Sequence, residues 1–585
     1  STLSSSSAAS DVYKRQTFTN TIVALELAGE SLNKVSRTFG NITGTDTDEE
    51  LRNLETEIYP MLTRESDAIS LNEVLYERVK GVYDSRESLG LNEQDSRLLE
   101  LTHRSFIRSG AAFSPDVKSK IASINEEISA LTTKFAQNLL LETKAFRLEL
   151  KSDEEVSGLS DDFKSVIWDE EKEAWVVGLN RSSYESFMVQ SNNRSLREKL
   201  FNGYRLRATR GDRDNGPVAI QIARLRAERA ELMGYESHAH YVLEYNMAKS
   251  PQGAEDFLLK VWVPGLEQAK KERADMQAML AGETFQAWDW WHLAEKLRLQ
   301  RYELDENQTK PYFKLENVQA GAFAMAEKLF GLSFEEVDVE GWNPVVVSFD
   351  VKDREGKHLG LFMTDMYARD SKRGGAWMSS YRGTSNINND AIRPLITNNM
   401  NLSMPPDGEP TLMRYSEVET LFHEFGHGLH GLMTQIDYPT FSGVDGPRDY
   451  TEFPAQILEH WVSQPEMLEM YATHFETGDV IPTDLVEKIR GAGNHNHGFY
   501  TTEYVAASLL DLAWHSLSSD EVAEITDART FEKEVLEGYG LIPEIEPRYR
   551  SQYFSHIFAG GYSSGYYAYC LLYTSDAADE EDSVD

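Results

Sequence analysis

From Thr17 to Lys144 the apolar residues recur at mixed spacings of three and four, as in "LRNLETEIYPMLTRESDAISLNEVLYERVKGVY". That period predicts amphipathic helices packed into a lobe. "DVKSKIASINEEISALTTKFAQNLLLETKAF" predicts one long helix with Asp116 as its N-cap. Two short extended runs follow, "FRLEL" from Phe146 to Leu150 and "EAWVVGL" from Glu173 to Leu179, around the acidic loop "SDEEVSGLSDD". Helical periodicity returns from Ser195, in segments such as "GPVAIQIARLRAERAELMGY" whose mixed charges mark solvated faces.

Near Pro344 the period shortens to two. "PVVVSFDV" and "HLGLFMTDMY" predict a β-hairpin that turns between Asp353 and Lys357. "SKRGGAWM" predicts a Gly-rich loop, and "NNMNLSMPP" an edge strand that stops at prolines. An edge strand just before a polar helix can hold an extended peptide by backbone hydrogen bonds. The organisation expected is a helical lobe over residues 17–340 and a second lobe over 341–569. Residues 1–16 and 570–585 break the pattern on either side and read as adaptor sequence foreign to the domain. The natural termini are therefore expected to be missing.

A chain of 585 residues with 41% hydrophobic content exceeds one compact domain. No apolar run reaches the roughly 18 residues that span a bilayer, so no membrane partner is expected. Lys and Arg total 58 against 96 Asp and Glu, a net charge of −38 that repels phosphate backbones and argues against nucleic acid. The single cysteine, Cys570, excludes an intrachain disulfide. That fits the cytoplasm, with the periplasm as the alternative because any signal peptide would be missing.

"ETLFHEFGHGLHGL" carries the chemistry. His423 and His427 are four apart, so on a helix both imidazoles face one way, a turn apart, within reach of one ion. Glu424 lies about 100° further round the helix, placed to accept a proton from water at the ion and return it to a leaving amine. Zinc needs a third protein ligand. "RDYTEFPAQILEHW" offers Glu452, with 24 residues between it and His427. Thr451 or Asp449 would cap its helix, with Pro454 in the first turn. A three-histidine site would want Gly at position 430 and His at 433, where this chain has His430 and Met433. His430 is read as a packing or supporting residue. Glu459, seven after Glu452, falls on the same face and can support a ligating histidine.

A second constellation, "YFSHIFAGGYSSGYYAY", holds His556, Gly560-Gly561 and Tyr562, Tyr566, Tyr567 and Tyr569. Glycines let the chain bend close to a ligand, and a phenol or imidazole there can donate to a developing oxyanion. Such an aromatic run is more often core.

Together "TLFHEFGHGLHGLM", "RDYTEFPAQILEHW" and "FSHIFAGGYSSGYYAY" resemble the thimet oligopeptidase-like family of zinc peptidases, and within it the bacterial dipeptidyl carboxypeptidases. The likeness runs from about Thr17 to Tyr569. It implies a mainly α, two-lobed, zincin-like metallopeptidase with a deep central channel and a small β-sheet beside the active-site helix. It implies one Zn2+ on His423, His427 and Glu452, with Glu424 as base. His556, Tyr562 and Tyr569 would stabilise the tetrahedral intermediate or hold the peptide, and Tyr566 is a further substrate-binding candidate. The family continues past the Tyr-rich motif with more helices, so the second lobe is expected to be truncated.

The expected activity is zinc-dependent hydrolysis of short unstructured peptides by a monomer, releasing C-terminal dipeptides. An endo-acting oligopeptidase of the same family is the runner-up, and a non-catalytic peptide-binding protein the reading from another class. Dipeptide release needs a group for the substrate's free carboxylate. Lys372, Arg373 and Arg548 have the right charge, although surface roles are the ordinary expectation for each.

Overall fold

The computed structural model describes residues 16–571 except 281, 305, 388, 389 and 445. It is mainly helical. The helices that bear on the site are α1 (Glu30–Thr45), α2 (Glu49–Ser70), α3 (Pro115–Ala145), α4 (Gly216–Leu232), α5 (Pro251–Ala278), α6 (Leu315–Phe330), α7 (Tyr415–Met433), α8 (Phe453–Val462) and α9 (His497–His515). The long helix α3 begins one residue earlier than its acidic cue suggests. Ser114 takes the N-cap position and Pro115 the first turn, so Asp116 lies inside the helix. Proline's fixed φ and missing N–H suit that start.

Two antiparallel strands predicted early, β1 (Leu148–Leu150) and β3 (Ala174–Val177), pair with each other, and β2 (Trp168–Asp169) joins the far side of β3. The second sheet contains β4 (Ser333–Val337), β5 (Val347–Lys352), β6 (His358–Tyr367), β7 (Trp377–Arg382) and β8 (Leu395–Leu402), in the order β4-β5-β6-β8-β7. The predicted hairpin is β5–β6, with the Asp353 N–H donating to the Lys357 carbonyl across the turn.

One expectation fails in this sheet. "NNMNLSMPP" supplies β8, which is interior, parallel to β6 and antiparallel to β7. The edges of this sheet are β4 and β7, and β7 begins at Trp377, where the Gly-rich loop expected over "SKRGGAWM" ends. The prolines that suggested an edge, Pro405 and Pro406, lie beyond the end of β8 at Leu402. Asn398 and Asn399 are buried, and the Asn399 amide donates to the Trp377 carbonyl and to Thr397 Oγ1, both at 3.2 Å. A buried amide with partners costs little, so polar residues stand here in a central strand.

Helix α7 lies on this sheet. Val418, Leu421, Phe422, Phe425, Leu429 and Leu432 form its buried apolar face, sharing a core with Phe362 of β6, Ile396 and Met400 of β8, and Val318, Ala322 and Met325 of α6. The histidines take the opposite face. A second core joins α3, α4 and α5 to α9 and to Phe554, Phe558, Tyr566, Tyr567 and Cys570, so it draws on chain from both sides of residue 340. Among the described residues no helix is long and apolar enough to cross a membrane.

Candidate metal centre

Close approach of α7 and α8 builds the site. A Cβ on Gly426 would lie 2.5 Å from the Pro454 carbonyl oxygen and 2.6 Å from Ala455 Cα. Glycine at this position lets the two backbones touch. The N-cap of α8 is Glu452 itself, not Thr451 or Asp449, because a separate helical turn, Arg448–Thr451, ends just before it. Asp449 instead accepts from the Tyr567 phenol at 2.7 Å and from the Met247 N–H. This ties the Glu452 segment to the tyrosine loop.

Glu452 Oε2 lies 3.2 Å from His423 Nε2 and 3.3 Å from His427 Nε2. Among the described residues these three are the one group of His, Cys, Asp or Glu side chains that could share a cation, with ligand atoms all within 4.8 Å of one another. His430 is outside it. Glu452 Oε2 is buried, yet among the described residues no donor meets it with hydrogen-bond geometry. Lone pairs that converge without bonding one another suit an ion between them, and two imidazoles with one carboxylate form a zinc donor set. The residues therefore fit a metal.

The surrounding bonds fix these ligands. His423 Nδ1 donates to Glu459 Oε1 at 2.6 Å, which turns Nε2 toward the centre. The Tyr562 hydroxyl donates to Glu452 Oε1 at 2.7 Å. Burial alone would raise the Glu452 pKa, but the two imidazoles hold it well below the usual carboxylate range. Burial raises Glu424, with His423 and His427 opposing. Its Oε2 is buried with no partner among the described residues. A carboxylate that is desolvated and unengaged beside a cation site is suited to move protons.

The tyrosine loop closes over this side. Tyr562 and Tyr569 stack at 5.4 Å between ring centroids, and the His556 ring lies 6.0 and 6.3 Å from theirs. Burial lowers the His556 pKa to about 4, Arg373 and Arg548 reinforcing it against Glu452, so the ring is neutral at pH 7. Burial keeps the Tyr569 phenol protonated. Tyr566 is only 2% exposed, its ring against Phe554, His556 and Tyr569. It packs beneath the loop, between those rings and the core.

Sequence reasoning missed what anchors this loop. Asp511 of α9, fully buried, accepts from the Ser564 N–H at 2.8 Å, the Tyr566 N–H at 3.0 Å and His515 Nδ1 at 2.8 Å. Arg226 of α4 donates to the Ile557 carbonyl at 2.6 Å and meets His515 Nε2 at 2.9 Å. The buried Asp-His-Arg chain thus grips the loop at both ends. Asp511 and His515 stand at i and i+4 on a helix, the one sequence signal of this anchor.

Lys372 is not a surface residue. Its ammonium is buried and donates to the Asp365 carboxylate at 2.9 Å and to the carbonyls of Asp365, Tyr367 and Met400. Arg548 is half-buried, donates to Glu503 Oε1 at 2.8 Å and lies over the Tyr504 ring.

A helical scaffold with this ligand group defines a metallopeptidase. The chain belongs to peptidase family M3, whose family profile matches residues 187–578. It is 39% identical to the dipeptidyl carboxypeptidase of Salmonella typhimurium over 576 residues, 96% of this chain and 84% of the relative. It is 30% identical to oligopeptidase A of the same organism over 559 residues, 93% of this chain and 82% of the relative. The solved structure of PZ peptidase A with inhibitor 2 superposes with a TM-score of 0.56 at 13% identity, covering 97% of this chain and 84% of that one, a likeness of fold.

Proposed function

We propose that this protein removes dipeptides from the C-termini of short unstructured peptides, using one zinc ion held by His423, His427 and Glu452. The observation that carries the reading is the free, buried Glu424 Oε2 beside those three ligands. The higher identity to dipeptidyl carboxypeptidase than to oligopeptidase A supports exo over endo action. A cytoplasmic monomer is the simplest setting for it.

Zinc bound there supplies a Lewis acid that makes water nucleophilic near neutral pH and polarises a carbonyl. Glu424 takes the proton from the attacking water and passes it to the departing amine nitrogen. Tyr569 and Tyr562 donate to the scissile carbonyl oxygen as negative charge develops, each worth about 3 kcal/mol when removed. Tyr562 reaches that oxygen by exchanging its bond to Glu452. The neutral His556 ring borders both phenols and positions them and the peptide. Glu459 keeps the His423 ring turned toward the centre.

Mass spectrometry of an unblocked nonapeptide, with and without chelator, tests this. Sequential loss of two residues from the C-terminus, abolished by chelator and in Glu424→Gln, is expected. Internal cuts that ignore a C-terminal amide would replace exo with endo action, and cleavage that survives Glu424→Gln would remove the mechanism.

A further inference from the structure

Resting on that dipeptide-releasing reading, we propose that Arg373 is the specificity residue that binds the substrate's free α-carboxylate. Three positively charged side chains are candidates by sequence, and the structure separates them. Lys372 spends its ammonium on four buried oxygens, and Arg548 is committed to Glu503. Arg373 is open to solvent, and no described carboxylate lies within ion-pair distance of it. In a chain with 96 acidic residues, an accessible arginine without an acidic partner is available for an external anion.

Its placement suits the task. The Arg373 N–H donates to the Gly44 carbonyl of α1 at 3.0 Å, and the Asn401 amide donates to the Arg373 carbonyl at 2.9 Å and the Gly375 carbonyl at 2.6 Å. The backbone is thus held from the helical lobe and from the sheet at once. The guanidinium stacks on the ring of Trp377, 4.1 Å from its centroid. That contact pre-orients a planar fork suited to two parallel bonds with a carboxylate.

Trp377 opens edge strand β7 and sits opposite Asn399 of β8, and the neighbouring Asn398 packs against Gly428 of α7. Arg373 therefore stands at the first end of β7, alongside the metal-binding helix. A peptide laid antiparallel on β7 brings its C-terminus to that end. The carboxylate of a two-residue product lies about 7 Å from the scissile carbon, so its partner must share the surroundings of the catalytic base. The Glu424 carboxylate and the Tyr59 phenol both favour the charged form of the Arg373 guanidinium. It is thus within electrostatic reach of Glu424 and stays cationic at neutral pH.

The test measures kcat and KM of zinc-loaded wild type, Arg373→Gln and Arg373→Lys on one peptide with a free and with an amidated C-terminus. Wild type should prefer the free acid. Arg373→Gln should lose about tenfold to a hundredfold in kcat/KM on it, mainly through KM, so the ratio of free to amidated collapses. Arg373→Lys should restore part of the ratio, because it keeps the charge without the fork. Unchanged zinc content in both variants would separate this from damage to the metal centre. If wild type releases dipeptides and Arg373→Gln keeps the full preference for the free acid, the assignment is overturned while the proposed function stands. If wild type treats both peptides alike, the dipeptide-releasing reading falls and takes this assignment with it.

Discussion

Gly426→Ala perturbs the site without touching a ligand. The added Cβ would meet the Pro454 carbonyl oxygen at 2.5 Å, Ala455 Cα at 2.6 Å and the Pro454 carbonyl carbon at 3.0 Å. Ordinary carbon contacts begin near about 3.5 Å, and these atoms are backbone that cannot rotate aside, so α8 must move off α7 by about 1 Å. Helix α8 starts at Glu452 and carries Glu459, so both the third ligand and the His423 support move with it. Metal coordination tolerates about 0.2 Å. We expect zinc affinity to fall about 10- to 100-fold, the usual scale for a disturbed ligand support, and the metal-free protein to lose about 1–3 kcal/mol from overpacking. Competition of the apoprotein against a fluorescent zinc chelator reads the first, and urea unfolding without metal the second. Gly428→Ala is the internal comparison. Its Cβ meets Phe362 Cε2 at 3.1 Å and Asn398 Oδ1 at 3.2 Å, side-chain atoms that can give way, so its effect on zinc should be much smaller. Wild-type zinc affinity in Gly426→Ala would refute the claim that this helix contact sets the ligand geometry.

Three further outcomes follow from the same contacts. Tyr562→Phe removes the 2.7 Å bond to Glu452 Oε1 and should weaken zinc binding about tenfold while lowering kcat, measured by chelator competition and peptide turnover. Asp511→Asn turns an amide toward donors that now face a carboxylate. It should cost about 3 kcal/mol in urea unfolding and depress turnover more than zinc content. Burial lowers the His292 pKa to about 4, helped by Arg197, while its Nδ1 donates to the Val189 carbonyl at 2.8 Å. An unfolded histidine takes up its proton at about pH 6.5. The contribution is thus complete above that pH and lost as pH falls toward 4, at most about 3 kcal/mol in all. His292→Gln should flatten the stability slope between those pH values by one proton, and an unchanged slope would contradict the burial argument.

What was legible in the chain is what local geometry fixes. His423 and His427 share a helix face by spacing alone, and Glu459 follows Glu452 by two turns of one helix, so its bond to His423 was within reach of periodicity. The β5–β6 hairpin is a local pairing with its turn residues in place. The position of β8 depends on which strands neighbour it, which no window of sequence contains, and the prolines that end the stretch argued for an edge. Tyr566 and Tyr569 are alike in sequence and differ only in which side of the loop packs into the core. Arg373 differs from Lys372 and Arg548 through the distant partners Asp365 and Glu503, and the Asp511 anchor joins residues 226, 511, 515, 557, 564 and 566 across the fold. The low pKa of Glu452 and the raised pKa of Glu424 likewise arise from convergence in space.

The central claim is that one zinc ion is bound by His423, His427 and Glu452. X-ray absorption at the zinc edge of stoichiometrically loaded protein tests it most directly. The account predicts a first shell of two imidazole nitrogens with carboxylate and water oxygen, at about 2.0–2.2 Å, with one imidazole lost in His427→Ala. A spectrum with no imidazole scattering, or one identical in His427→Ala, would contradict it.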